Sequence, residues 1–262
     1  MKKLEKNNFY KIKNFLNEKN NHYPIMKSVI SGIKPGTVYT NFSENAFFII
    51  NNDGWSYFLG DLNDNDFNND IEKIILKEAG NKAINFLWFD MPEIFREYLK
   101  KYTFIKIYDF PRYRFTYSGK KEITEKEYEN YTLYEIDEKN IEKYKEVYDE
   151  IKPFWNEKEN FFQKGFGYIL QHGEKLAGYV FLASNEDNEG EIDIIVSEDY
   201  RNKGISKYLS SKIIKKCISY NIKPKWDCDV STAASVKTAQ YLGFEIKEKY
   251  NCSYITEINK AQ

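Results

Sequence analysis

Glu191 and Asp193 stand two apart in the run Glu191-Ile192-Asp193-Ile194-Ile195-Val196, the spacing that puts two side chains on one face of a β-strand. Carboxylates held in this way can take the proton of an attacking amine, or simply hold its ammonium. Shortly after comes Arg201-Asn202-Lys203-Gly204-Ile205-Ser206, where two basic residues precede a glycine and a small hydroxyl residue. The first N–H groups of a helix lack acceptors inside it, so a helix entered through glycine offers backbone donors to an anion. Glycine also lets a ligand approach the backbone closely. Read together, these residues describe an acidic strand face followed by a phosphate-binding turn, and they point to an enzyme that uses a phosphorylated cofactor. The same text also fits an ordinary strand–turn–helix junction with a solvated face.

The elements that must position these groups are legible on either side. Ile192, Ile194 and Val196 alternate onto the face opposite Glu191 and Asp193. From Gly204 the pattern takes helix period through Ile205, Leu209, Ile213 and Cys217, predicting a helix over 204–220. A strand over 225–230 carries Lys225-Trp226-Asp227-Cys228-Asp229-Val230. A helix over 232–242 then closes on Tyr241-Leu242-Gly243-Phe244, with Gly243 suited to a left-handed cap. Upstream, Tyr131–Ile136 reads as a strand, and Asp137 caps a helix reaching about Glu150. A second helical segment surrounds Phe154–Gln163. Gly165–Gln171 and Lys175–Ser184 form a hairpin about His172-Gly173-Glu174, and two strands, 244–250 and 252–258, end the chain.

The turn is neither G-x-x-x-x-G-K-[ST] nor G-x-G-x-x-G, which excludes a nucleotide-triphosphatase loop and weakens a dinucleotide reading. It resembles the Arg/Gln-x-x-Gly-x-Gly/Ala signature of the GNAT acetyltransferases, written here Arg201-x-x-Gly204-x-Ser206. The strand with Trp226-Asp227-Cys228 and the helix ending Leu242-Gly243-Phe244 extend the likeness. They are similar to the branch that includes zwittermicin-resistance-type acetyltransferases. The resemblance covers roughly half the chain, to about residue 258, and the element order matches.

The resemblance implies an α/β chain of the α+β kind, with a GNAT fold and a central mixed sheet in the C-terminal half. It implies acetyl-CoA as co-substrate, no metal, and transfer of acetyl to the primary amine of a small molecule by direct attack on the thioester. Protein amine acetylation and a catalytically inactive coenzyme A sensor are the alternatives. Asn202, Lys203, Gly204, Ile205 and Ser206 would take the pyrophosphate through their amides, beside Arg201. Ile194, Ile195 and Val196 would pair with the pantetheine arm, and the N–H of Val196 would face the thioester oxygen. Glu191 is the first candidate for general base and Asp193 the second. Thr232 and Ser235 are further cofactor contacts, and Trp155 and Asp227 are acceptor-side candidates. Asp227 also reads as a structural acceptor.

Two positions depart from the family pattern. Ala239 stands where a tyrosine commonly protonates the leaving thiolate, and Thr232 stands where asparagine is common. Tyr241 faces elsewhere on the helix, which leaves water, Tyr250, Tyr254 or another group as the proton source. Cys228 reads as a buried small hydrophobe, His172 as a turn residue, and Arg112-Tyr113-Arg114 as a solvated strand face.

Composition agrees. Across 262 residues, 39 basic and 40 acidic side chains leave a net charge of −1, so neither nucleic acid nor an anionic membrane is an expected partner. Three cysteines without metal spacing, and a polar start Met1-Lys2-Lys3-Leu4-Glu5-Lys6, favour a reducing, cytoplasmic setting. The first half, 1–122, reads as a separate smaller α/β domain preceding a domain over 123–262. Its helices are Phe9–Leu16, Ile25–Ile30, Asp70–Ala79 and Pro92–Lys100. Its strands are Thr37–Asn41, Ala46–Ile50, Trp55–Leu59, Ile84–Phe89 and an edge-like Thr103–Tyr117 interrupted by Pro111. Thr124-x-x-Glu127 has the form of a capping box. The mixed order allows the first domain to be a degenerate GNAT-like copy. It carries no match to the phosphate signature, so it is not expected to bind the cofactor.

Overall fold

A computed structural model describes residues 1–16, 24–80, 86–120 and 128–257. The chain divides into two compact units, Met1–Arg112 with Tyr250–Gln262, and Tyr113–Lys249. The domain change expected between 122 and 123 lies outside the described residues, as do Thr124 and Glu127.

In the first unit, β1 (Lys2–Lys3), a 3-10 segment (Lys6–Phe15) and α1 (Pro24–Ile30) lead into the hairpins of β2 (Gly36–Thr40), β3 (Ala46–Asn51) and β4 (Trp55–Gly60). These four strands pair antiparallel in order. The β3–β4 turn closes because the Asn51 side chain accepts the N–H groups of Asp53 (3.0 Å) and Trp55 (2.9 Å). Next come α2 (Asn65–Ala79), β5 (Phe86–Phe89), α3 (Glu93–Lys100) and β6 (Ile105–Tyr117). α2 starts five residues earlier than expected, because Asp64 caps it by accepting the N–H of Phe67 at 2.9 Å. Phe48, Phe58, Phe67, Ile71, Ile75, Trp88 and Phe95 form this unit's buried core.

In the second unit, β7 (Tyr131–Glu135) is followed by α4 (Glu138–Lys143), α5 (Lys145–Trp155) and α6 (Lys158–Lys164). Asp137 forms a complete capping box with Asn140. The single helix expected after Asp137 is broken at Tyr144, whose ψ is 73° and whose hydroxyl donates to the Gln171 side chain at 2.5 Å. β8 (Gly167–His172), β9 (Lys175–Glu186) and β10 (Glu189–Val196) follow, and β7 to β10 pair antiparallel in order. Then come α7 (Ile205–Ser219), β11 (Lys223–Asp229), α8 (Ala233–Tyr241) and β12 (Phe244–Glu257), whose residues from Tyr250 on belong to the first unit. β10 and β11 run parallel, which makes the sheet mixed. Gly243 takes φ 91° after α8, the left-handed cap expected of it.

Three local expectations are corrected. The two closing strands are one, β12, because Asn251 keeps extended backbone and accepts the N–H of Asp90 at 2.9 Å. β6 is continuous through Pro111 and lies between β12 and β11 in the strand order, away from any edge. Arg114 is buried and ion-paired with Glu248, so its face of the strand is not solvated.

The two faces of this sheet carry different helices. α7 packs against β8 to β11, and a Cβ on Gly178 would lie 3.3 Å from Leu209. Gly178 pairs with Val196, so Ile192, Ile194 and Val196 point toward α7. α5 packs on β9 from the opposite face, where Phe154 meets Phe181 edge-on at 5.8 Å and the Trp155 indole N–H donates to Leu182 O at 2.7 Å. Phe181 pairs with Asp193, which sets Asp193 on that second face.

Candidate active site

β10 and β11 pair only over Glu189–Glu191 with Lys223–Lys225. Beyond that point β10 runs on to Val196 and β11 to Asp229 with no further pairing between them. β10 stays paired to β9 as far as Val196–Gly178, with a register shift at Glu191/Ile192. One edge of β10 therefore opens into a cleft. The N–H of Ser197 donates to Ala177 O (3.1 Å), so by alternation those of Ile195 and Asp193 also point to β9. The N–H groups of Val196 and Ile194 point into the cleft. Two contacts agree with this: the Asp193 carboxylate accepts the Ile194 N–H at 2.8 Å, and Val196 O lies 3.4 Å from the Arg201 Nε that donates to it.

At the mouth of that cleft lies the glycine turn. Asn202 (φ 62°) and Gly204 (φ 86°) both take left-handed backbone. Gly204 is the N-cap of α7, and no side chain caps that end. The N–H groups of Ile205, Ser206 and Lys207 thus have neither an intrahelical acceptor nor a capping one among the described residues, and the helix dipole adds partial positive charge. Lys203 and Lys207 sit over the rings of Tyr200 (5.1 Å) and Tyr241 (4.0 Å), keeping their charge beside the turn. The turn has a further support that the sequence did not signal. Tyr128 donates its hydroxyl to Lys203 O at 2.8 Å, and a Cβ on Gly204 would sit 2.7 Å from that oxygen. Tyr128 lies 75 residues before Lys203, and no motif links the two.

Glu191 is half-buried at the last position where β10 is paired on both sides. Asp193 shares its face by alternation. In the parallel register Lys225 opposes Glu191, which sets Asp227 on the same side. Lys225 is ion-paired to Glu189 at 2.7 Å, and burial pulls its pKa below the ordinary lysine value. Trp226 and Cys228 alternate to the other face and are buried. Among the other candidates, Ser235 accepts the Trp226 indole N–H at 3.1 Å, while Thr232 is exposed at the N-cap of α8. Trp155 is fully buried with its N–H committed to Leu182, so it holds α5 in place and does not line the cleft. Ala239 is fully buried, Tyr241 is exposed, and Tyr250 and Tyr254 belong to the first unit.

A strand splayed from its parallel neighbour thus lies just ahead of an uncapped, glycine-led helix. The GNAT acetyltransferase family model matches residues 13–253, taking in the first half as well as the second. The chain belongs to the GNAT acetyltransferase family. It is 27% identical over 233 residues to the uncharacterized N-acetyltransferase YdfB of Bacillus subtilis, covering 87% of this chain and 88% of that protein. The fold is shared with a GCN5-related N-acetyltransferase-like protein of Streptococcus suis (TM-score 0.67, 15% identity, 95% and 98% of the two chains). It is also shared with a tandem GNAT protein from the clavulanic acid biosynthesis pathway (TM-score 0.67, 9% identity, 99% and 98%). This GNAT chain is accordingly an acyltransferase of mixed α/β fold. No helix among the described residues is long and apolar enough to cross a membrane, and no group of His, Cys, Asp and Glu there could hold a metal ion.

Proposed function

We propose that this protein is an acetyl-CoA-dependent N-acetyltransferase acting on the primary amine of a small molecule. The observation that carries the reading is the splay of β10 from β11 directly before the uncapped turn at Gly204. The amides of Asn202 to Ser206, with Arg201 alongside, bind the pyrophosphate. The open edge at Ile194, Ile195 and Val196 receives the pantetheine arm, and the Val196 N–H stabilises the thioester oxygen as charge develops on it. Glu191 takes the proton from the amine, with Asp193 and Asp227 on the same face holding the acceptor's positive charge. Thr232 is a further contact at the mouth. Water supplies the proton to the departing thiolate, since Ala239 offers none.

The finer assignments rest on the same footing. The Trp226-Asp227-Cys228 strand supports membership of the branch that includes zwittermicin-resistance-type acetyltransferases. The first unit is a degenerate GNAT-like copy without a phosphate turn. Three buried cysteines fit a reducing, cytoplasmic setting.

The test is calorimetric binding of acetyl-CoA, followed by a thiol-release assay against a panel of amines. Binding with turnover on small amines is expected. Turnover on peptide amines alone would replace the small-molecule reading with protein acetylation. Binding without turnover would favour a coenzyme A sensor, and absence of binding would sink the cofactor assignment.

A further inference from the structure

We infer that Ser184 is the positioning residue for Glu191, its buried hydroxyl holding that carboxylate ionised and turned to the cleft. This inference rests on the N-acetyltransferase reading, in which Glu191 takes the proton of the amine, and adds the group that sets it. The placement follows from register. From Ile192 to Val196 the partners on β9 run from Leu182 to Gly178, whereas Glu191, Gly190 and Glu189 pair with Ser184, Asn185 and Glu186. Ala183 is therefore the extra residue of β9 at the register shift. An unshifted ladder would set Ala183 opposite Glu191 and turn Ser184 to the α7 face, beside Gly190. The bulge thus puts a hydroxyl where a regular ladder would put a methyl group. Neighbouring elements hold it in place: the Trp155 indole N–H donates to Leu182 O (2.7 Å), the Leu182 N–H to Phe166 O (3.0 Å) and the Asn185 side chain to Lys164 O (2.8 Å).

Ser184 is only 2% exposed, and its hydroxyl has no hydrogen-bond partner among the described residues. Buried hydroxyls are rarely left so, and the group directly opposite this one is a carboxylate. Residues opposed in an antiparallel ladder have Cβ atoms about 5 Å apart, a gap that a hydroxyl and a carboxylate span directly or through one bridging water. Glu191 Oε2 is shielded from solvent, so the groups around it weigh heavily on its protonation. On its own strand these are Glu189 and Asp193; β9 adds Glu186, and β11 adds Lys225 and Asp227. From the helices on this face come Glu146 and Glu150 of α5, which act on Tyr179, and Lys164 of α6. Lys225 is ion-paired with Glu189 at 2.7 Å, and Lys164 lies 3.8 Å from Glu186. Carboxylates outnumber ammonium groups in this set, which works against an ionised Glu191. A neutral hydroxyl that donates to the carboxylate favours the ionised form, the one a general base needs.

The experiment titrates the full-length protein, labelled with carbon-13 at its glutamate carboxyl groups, by NMR, the Glu191 signal being assigned by its loss in Glu191→Gln. In Ser184→Ala the proton affinity of Glu191 is expected to rise about tenfold. In Ser184→Thr, which keeps the hydroxyl, it should stay within about twofold of wild type. Ser210→Ala removes another buried hydroxyl of this unit that lacks a partner among the described residues, and should leave the titration unmoved. Thiol release with the amine panel should show the acid limb of kcat/KM in Ser184→Ala moving up with the titration, while acetyl-CoA affinity holds. A Glu191 titration unchanged in Ser184→Ala would overturn the inference, as would an equal rise in Ser184→Thr. The expected rise in a protein that acetylates none of the amines would uphold Ser184 as the partner of Glu191 and favour the coenzyme A sensor over the acetyltransferase.

Discussion

Glu191 is the residue on which the proposed chemistry turns, and its setting explains why. The last two-sided pairing of β10 holds its backbone, while the register shift that follows frees the strand to leave β11. A carboxylate on a rigid element beside an opening can meet a substrate without first being ordered. Glu191→Gln is expected to lower kcat by about a hundredfold or more while leaving acetyl-CoA affinity in place, read by steady-state thiol release and calorimetry. Unchanged turnover would move the base to Asp193 or to water. Cys228 and Cys217 contribute no chemistry at this scale. Both thiols are buried, and burial pushes that of Cys217 up to about 12, far from the thiolate needed for attack.

Two elements show how local interactions set the scene. β10 uses its β9 edge for the sheet and leaves its other edge unpaired with β11 beyond Glu191, so the two edges are separable by alternate residues. Val196→Pro removes an N–H that the β9 ladder does not use. It should therefore leave the fold largely intact while lowering turnover by about a hundredfold. Circular dichroism and single-turnover kinetics would separate those effects, and near-normal turnover would place the oxyanion donor elsewhere. In the first unit, Asp64 accepts the Phe67 N–H at the start of α2 and a bond from the Asn41 side chain at 3.0 Å. Those bonds, the Phe67 one first, hold its pKa below the ordinary carboxylate value. Its benefit is present above the unfolded pKa and is lost as pH falls through the lower folded one. Asp64→Ala should cost about 1 kcal/mol near neutral pH, with the gap to wild type closing in acid denaturation. A gap that persisted at low pH would show that the carboxylate's charge is not what stabilises the cap.

For the whole molecule, a ligand held by the turn at Gly204 must stabilise the folded state by mass action. Acetyl-CoA at a hundredfold above its dissociation constant is worth about 2.7 kcal/mol, a rise of roughly 5–10 °C in the melting midpoint of a unit this size. Gly204→Val should abolish that rise. Its Cβ would collide with the Tyr128 hydroxyl, and its φ of 86° is one that a β-branched residue rarely adopts. A full shift in that variant would show that acetyl-CoA binds away from the turn. Because the chain has two compact units, a melt with two steps is to be fitted as two transitions, and the shift is expected in one.

The sequence alone determined the parts whose signals are local. Alternation in 191–196, the helical stripe from Ile205 to Cys217, Asp137 as a cap and Gly243 as a left-handed terminus each depend on residues within a few positions of one another. The Arg201–Ser206 turn was readable for the same reason, since its donors belong to consecutive amides. What only the tertiary structure decided depends on residues far apart in the chain. The point where β10 parts from β11 is set by register, which no composition of either strand reveals. Arg114 is buried because Glu248 comes to it from another strand, and Tyr128 supports the turn before α7 across 75 residues. Trp155 was legible as a large aromatic near the acceptor segment, but its depth beneath α6 was not. Its ring meets Phe161 edge-on at 5.8 Å, and both are fully buried. Each of these depends on what the fold brings together, because a charge or a packed ring acts through space on whatever lies near it.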